Sequence, residues 1–463
     1  MSFSKKLLAV AAVVAMTASV IFGSKITQDD QEGFGEGFSW LGQKETIYCW
    51  YADENLSNYV NAAAVSFGEE KGVRVIPVLT SDNAYLEAIN RSSMTAEEVP
   101  DVFIVGNDYL EKAYLAGLAS RITDPDGICN EKHFPKAAMD AVTYRGRQVA
   151  YPLYYDTSVL AYNNTYLQEW VYQQTEKAIN TPAEENESEI LTEQEIPTDY
   201  QERYDYYFSA YEKASHPDTV DAILFIANSY DPPEGVEGVM AWDVSDIYYN
   251  YWLVGNYMAV GGDTGDDKSK VDVNNDEVRK CLEKYKEMTQ FFDISADTVS
   301  YETVVQDFLE GKMLFTIATT DIAARIRAAE QENTYGFDYE IVPMPDIDDK
   351  MQSRSLSITG TAVVNGYSTH KELANEFASY LAGEFAGEIY ARTGKTSANL
   401  GTAKDPLLQV CMEEYAGSIP MPKMLETANF WMQAEILFYK IWNGGDIAAL
   451  LQELDTQMFY QLQ

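Results

Sequence analysis

Four short stretches of this 463-residue chain set carboxylates beside aromatic rings: "WYADEN" at 50–55, "GNDY" at 106–109, "YYDT" at 154–157 and "WDVSDIYYNYW" at 242–252, with Phe430 and Trp431 as a later pair. Recognition of a sugar needs both kinds of group. An aromatic face covers the apolar C–H side of the ring, and planar carboxylates or amides fix its hydroxyls through paired hydrogen bonds. A single aromatic at a strand end is more often core than ligand platform, so any one stretch taken alone reads as structural. Their repetition favours a cleft. The densest case is "GRQVAYPLYYDTSVLAYNN" at 146–164, where Asp156 stands among Tyr151, Tyr154, Tyr155 and Tyr162. The acid is expected to face a ligand, while most of the tyrosines shape the cleft or the core beneath it.

Other chemistries find little to work with. His133, His216 and His370 are isolated in sequence, which leaves histidine-led catalysis without partners. Cys49, Cys129, Cys281 and Cys411 lie far apart with no C-x-x-C spacing, so neither a metal site nor a redox pair is expected. Buried free thiols are the expectation, with a single disulfide as the alternative. "DTGDDKSK" at 263–270 fails the ligand spacing of an EF-hand, and no cofactor is predicted. Paired carboxylates in an aromatic cleft also describe glycoside hydrolases, but no acid pair is marked by the local sequence, so a binding protein is expected rather than an enzyme. A binder of peptides or another solute is the remaining alternative; it would place few stacking residues in the cleft.

The elements that must position these groups are of α/β type. "ETIYCWY" is strand-like, Leu56, Tyr59, Val60, Ala63 and Phe67 recur at helical spacing up to Gly72, and the strand "VRVIPVL" follows. "VPDVFIVGND" is a near-continuous apolar strand of the kind buried on both faces of a parallel sheet, with Asn107 and Asp108 as caps for the helix carrying Leu110, Ala113, Tyr114 and Leu118. Ligands of open α/β sheets bind at such strand ends. Later, "FLEGKMLFTIATTDIAARI" reads as helix, strand, helix, and the C-terminus as two helices joined at Asn443, Gly444 and Gly445. The length and the 46% hydrophobic content suit two lobes, and 33 tyrosines with 7 tryptophans exceed what cores alone demand. A formal charge of -40 disfavours nucleic acid and anionic membranes as partners. The acidic stretch at about 174–202 reads as a solvated insertion or helix pair.

Residues 1–24 carry Lys5 and Lys6 ahead of an apolar run from Leu7 to Phe22, the layout of a secretory signal peptide or an N-terminal anchor. The protein is therefore expected to be exported, and membrane-associated if that segment is retained. Residues 25–43 would be a flexible Gly/Glu tether.

From Lys44 onward the ordered set of fragments resembles the bacterial extracellular solute-binding proteins of ABC importers, in the maltose/maltodextrin-binding branch. The carriers include "PDVFIVGND", "GRQVAYPLYYDTSVLAYNN", "MAWDVSDIYYNYW", "GKMLFTIA", "VVNGYSTHKELANEFASYL", "ARTGK" and "IPMPKMLETANFWMQAE". The resemblance implies a two-lobe, periplasmic-binding-protein-like type II fold with a hinge and an interlobe ligand cleft. It implies a first lobe of 44–156 and 356–410, a second of 160–350 and 411–463, and crossings near Asp156–Val159 and Ser353–Thr361. It also implies a carbohydrate ligand, probed by Trp50 and Glu54 in the first loop, Asp108 after the third strand, Asp156, Asp246, and the stacking residues Tyr248 and Trp431; Asn107 and Tyr155 beside them complete the candidate ligand-binding set. The implied partner is the membrane permease of the importer, and the implied state a monomer. This chain departs from the family pattern at Ala52, Val105, Tyr109 and around Asp321, positions where the maltodextrin binders carry a polar residue, a tryptophan, an arginine and a second tryptophan.

Overall fold

In chain order the strands are β1 (Thr46–Tyr51), β2 (Arg74–Leu79), β3 (Val102–Gly106), β4 (Thr143–Tyr144), β5 (Arg147–Gln148), β6 (Tyr151–Asn163), β7 (Gly238–Ala241), β8 (Ala259–Val260), β9 (Val271–Asp272), β10 (Met313–Thr319), β11 (Tyr339–Val342), β12 (Leu356–Val364), β13 (Thr396–Ser397) and β14 (Ile419–Pro420). They belong to a computed structural model that describes residues 44–81, 84–95, 99–181, 196–332 and 336–463. The expected signal segment and tether at 1–43 lie outside the described residues, as do 182–195 of the acidic stretch. Ten strands form one sheet with the path β2-β1-β3-β12-β6-β10-β7, onto which β11, β13 and β14 pair; β4–β5 and β8–β9 are separate hairpins.

The opening is the expected β-α-β unit. β1 pairs in parallel with β2 and β3, and the helix Ser57–Lys71 crosses between β1 and β2 before Gly72, at φ 71°, ends it in the left-handed conformation that glycine adopts without strain. Pro77 is tolerated in β2 because β2 is the edge of the sheet. Val102, Phe103, Ile104 and Val105 of β3 are all buried, as a continuous apolar run requires.

β6 organises the rest. Over Tyr151–Thr157 it pairs with β12, and Tyr154 and Tyr155 pair with β13 on the other side; from Ser158 onward its neighbours become β10 and β11. One 13-residue strand thus serves two halves of the sheet, with the exchange of partners falling between Thr157 and Ser158. The register shifts at Gly360/Thr361, where Leu153 is the extra residue of β6. One core gathers Ile47, Tyr59, Phe67, Phe103 and Phe377 around the first strands. A second gathers Trp170, Trp242, Trp252, Tyr285 and Phe438 beneath the helices Asn164–Asn180, Asp276–Met288 and Phe430–Trp442. The four cysteines are free and buried, which settles the choice against a disulfide. The acidic stretch joins two helices, Asn164–Asn180 and Tyr200–Ala214, which meet through Tyr172 and Phe208 with ring centroids 5.3 Å apart.

Candidate functional site

Strand periodicity decides which side chains of "YYDT" can reach a ligand. Successive residues of a strand point to opposite faces, so Tyr154 and Asp156 share one face of β6 and Tyr155 takes the other. Tyr155 is 1% exposed and lies flat against Tyr415, centroids 3.8 Å apart and planes 1° apart. It is a buried ring packed on Tyr415 that also lines, with Tyr154 and Asp156, the cavity beside Thr320 and Lys395.

Asp156 sits at the exchange of strand partners. Its Oδ1 accepts from the backbone N and the Oγ1 of Thr320, at 3.1 and 2.7 Å, tying β6 to the turn after β10. Burial pushes its carboxyl up to about 6; Thr320's hydrogen bonds oppose the shift and the Asp321 charge adds to it. Asp321 is itself held by Tyr301, by Thr319 Oγ1 at 2.7 Å and by Arg325 Nε at 2.7 Å, and Arg325 forks onto Glu302.

After β3 the chain does not enter a helix capped by Asn107 and Asp108. Asn107–Tyr109 form a 3₁₀ turn, and the helix Leu110–Leu115 follows without a side-chain cap. Asn107 is fully buried: its Nδ2 donates to Met421 O at 2.8 Å and its Oδ1 accepts from Thr359 N at 2.8 Å. Both ends of the amide are used in joining β3, β12 and the 421 loop, so Asn107 is corrected from ligand contact to structural clasp. Asp108 is partly exposed and carries a carboxyl pushed up to about 6, first by burial and against the hydrogen bonds of its own and Tyr109's N–H. Its carboxylate lies over Gly106, where an added Cβ would come within 2.4 Å of Oδ1.

The first loop contributes differently from expectation. Asp53, not Glu54, does the local structural work: it caps the turn Glu54–Leu56 by accepting from Asn55 N at 2.9 Å, and its other oxygen meets Lys395 Nζ at 2.9 Å. Glu54 is exposed. Trp50 is partly buried on β1, with its Nε1 enclosed and without a hydrogen-bond partner among the described residues.

On the other side of β6, Asp246 caps the turn Ile247–Tyr249 through Tyr248 N at 2.8 Å. It lines an open depression with Asp243, Ser245 and Glu435, and burial raises the carboxyls of both Asp246 and Glu435. Tyr248 gives its backbone carbonyl to Ser158 Oγ at 2.9 Å, while its hydroxyl is enclosed without a partner among the described residues. Its ring stands edge-on to Tyr249, which stacks on Tyr301 at 4.9 Å. Trp431, near the start of the helix Phe430–Trp442, is partly buried with its edge toward Tyr251, and it lies one helical turn before Glu435.

The phenol of Tyr154 is raised by burial and by the charges of Asp53, Asp156 and Asp108; that of Tyr248 by burial and, among charged groups, by Asp156 and Asp246. Tyr154 is thus within electrostatic reach of Asp53, Asp108 and Asp156, and Tyr248 within reach of Asp156 and Asp246. Sequence reasoning missed Asp53, Tyr154, Thr320 and Lys395. The period-2 rule could have found Tyr154, and the Gly-Lys end of "ARTGK" marked Lys395 as the residue just past a helix C-cap.

A family model for bacterial extracellular solute-binding proteins matches residues 62–409. The chain belongs to that family. This solute-binding protein is 24% identical over 403 residues to the maltodextrin-binding protein MdxE of Bacillus subtilis (strain 168), a match spanning 85% of this chain and 84% of the relative. Among solved structures, a cyclo/maltodextrin-binding protein complexed with maltotetraose aligns with a TM-score of 0.70 at 18% identity, over 93% of this chain and 99% of that one. An extracellular solute-binding protein from Staphylococcus aureus in complex with maltose aligns with a TM-score of 0.70 at 19% identity, over 90% and 98%. The fold is the two-lobe, type II periplasmic-binding fold. As a member of a family of binding proteins, this solute-binding protein captures a solute and does not transform it. Among the described residues no helix is long and apolar enough to cross a membrane.

Proposed function

We propose that this extracellular solute-binding protein captures a carbohydrate of maltodextrin type between its lobes and delivers it to the permease of an ABC importer. The observation that carries the reading is the cavity in which Asp156 stands beside Tyr154, Thr320 and Lys395, next to the point where β6 changes its strand partners. Carboxylates there would accept hydrogen bonds from sugar hydroxyls, and the enclosed Trp50 Nε1 and Tyr248 hydroxyl would gain the partners they lack. The ligands in the names of MdxE and of the aligned structures are of the same class. The partner exchange at Thr157/Ser158 supports lobe boundaries near 156–160 and a hinge there. Ligand binding would then favour the closed arrangement, as a shift of population with no bond broken, and the permease would read the closed surface. The protein would act as a monomer, tethered at the membrane if its N-terminal segment is retained.

One observation favours a second reading. Asp243, Asp246 and Glu435 have no ion-pair partner among the described residues, which would suit a solute bearing an amine. A thermal-shift screen of glucose, maltose, maltotriose, maltotetraose and their amino-sugar counterparts separates the two. A neutral malto-oligosaccharide at a hundred times its Kd should stabilise the fold by about 2.7 kcal/mol. Stabilisation by amino sugars alone would favour the second reading, and release of reducing ends from any of them would overturn both.

A further inference from the structure

Two cavities meet at Tyr154. The first, of about 350 Å³, is bounded by Asp53, Tyr85, Glu87, Gly106 and Tyr109; the second, of about 260 Å³, by Asn55, Asp156, Thr320, Asp321 and Lys395. Tyr154 lines both. Its ring cannot retreat into the sheet, because it already rests on Gly360 of the neighbouring strand, where an added Cβ would fall 2.2 Å from Cζ. It is covered from the cleft side by Lys395, whose ammonium lies 4.9 Å from the ring centroid and whose ion pair with Asp53 reaches from the second cavity to the first. Gly394, at φ 73°, turns the chain out of the helix Ile389–Thr393 and so aims Lys395 at this point.

Resting on the carbohydrate reading, we propose that Tyr154, clamped by Lys395 and Asp53, is a partition that limits the length of the bound saccharide. A ligand confined to one compartment leaves the clamp intact. A longer chain has to run through it, which means parting Lys395 from Asp53 and displacing it from the ring before the far compartment can be filled. Specificity for short saccharides would then come from the cost of opening the partition, added to whatever contacts each sugar unit makes.

Isothermal titration of maltose and maltotetraose into the wild type, Lys395→Met and Tyr154→Ala tests this. Lys395→Met keeps the length of the side chain and removes the ion pair; Tyr154→Ala removes the wall. The wild type should bind maltose at least as tightly as maltotetraose, and each variant should shift the ratio toward maltotetraose by about fivefold or more. A wild-type preference for maltotetraose of about tenfold, or a ratio unchanged in the variants, would overturn the partition. If Tyr154→Ala does not fold, Lys395→Met decides alone. A wild type that binds none of the sugars, from glucose to maltotetraose, is a different result: it removes the carbohydrate reading and this proposal with it.

Discussion

The two sides of the candidate cleft are built on opposite principles. On the side of β1 and β3 the cations are committed: Lys395 is paired with Asp53 and lies over Tyr154, whose ring is backed by Gly360, and Lys112 is paired with Glu87. On the side of Asp246, three acids stand together in an open depression with no ion pair reaching them among the described residues. The first side is prearranged, since its ion pairs are formed and the sheet backs the ring of Tyr154, with Trp50 Nε1 left for a ligand to satisfy. On the second side, burial first and then the charges of neighbouring acids raise the carboxyls of Asp246 and Glu435. Geometry on the first side is set for selection; the acids on the second leave hydrogen-bonding capacity for the ligand to use.

The comparison can be broken most forcefully at Tyr155, a buried wall residue of the cavity that holds Asp156, with its ring stacked on Tyr415. Tyr155→Ala should destabilise the fold by about 3–5 kcal/mol, the range for removing a large buried aromatic, while the ligand's affinity for the folded protein stays near wild type. Urea unfolding with and without sugar measures both. An affinity loss with little change in stability would make Tyr155 a ligand contact.

Asp156 should behave in the reverse way. Asp156→Asn is expected to weaken sugar binding by about 1.5–3 kcal/mol, the worth of a hydrogen bond to a charged group, because the amide retains an acceptor for Thr320 but loses the charge. Titration calorimetry reads this directly, and a variant that melts early yet binds normally would make Asp156 purely structural.

The acids also set a pH dependence. Asp156, with its carboxyl near 6, loses about tenfold of its charged population between pH 7 and pH 5, so affinity should fall by about that factor over the same range. Asp156→Asn should flatten the profile. For the unliganded fold the sign is opposite. Asp108 and Asp156 are raised above their unfolded values, so the folded state holds more protons between about pH 4 and 6 and these groups make the protein less stable as pH rises through that window. Melting temperatures across pH 4–7 would show no such trend if neither acid were buried.

The smallest expected effect lies at the edge of the second side. If Trp431 stacks on the ligand, Trp431→Ala should cost about 0.5–1.5 kcal/mol of affinity beyond lost area and should remove part of a ligand-induced fluorescence change. Unchanged binding would leave Trp431 as packing against Tyr251.

Much of this was legible in advance. The β-α-β opening, the buried run of β3, the helix stopped at Gly72 and the two C-terminal helices all follow from periodicity and from glycine's conformational freedom, which act within a few residues. What local sequence hides has one cause. Asn107 reads as a helix cap because its type favours that role, yet its amide is used by Met421 and Thr359, partners more than 250 residues away. Tyr155 reads as a cleft residue because it adjoins Asp156; it lines the same cavity, but its stacking on Tyr415, 260 residues away, is invisible locally.

Local sequence determined which segments become strands and helices and which residue types gather near strand ends, because backbone sterics and hydrophobic spacing are short-range. Tertiary structure alone decided that the ring of Tyr155 stacks on Tyr415, that Asp53 and Lys395 close over Tyr154, and that Asp156 holds Thr320. Those outcomes depend on β6 changing partners midway, from β12 and β13 to β10 and β11, and on which strand lies opposite each residue at that point. Strand pairing between segments so distant in the chain is chosen by the packing of both cores at once, and no window of sequence contains it.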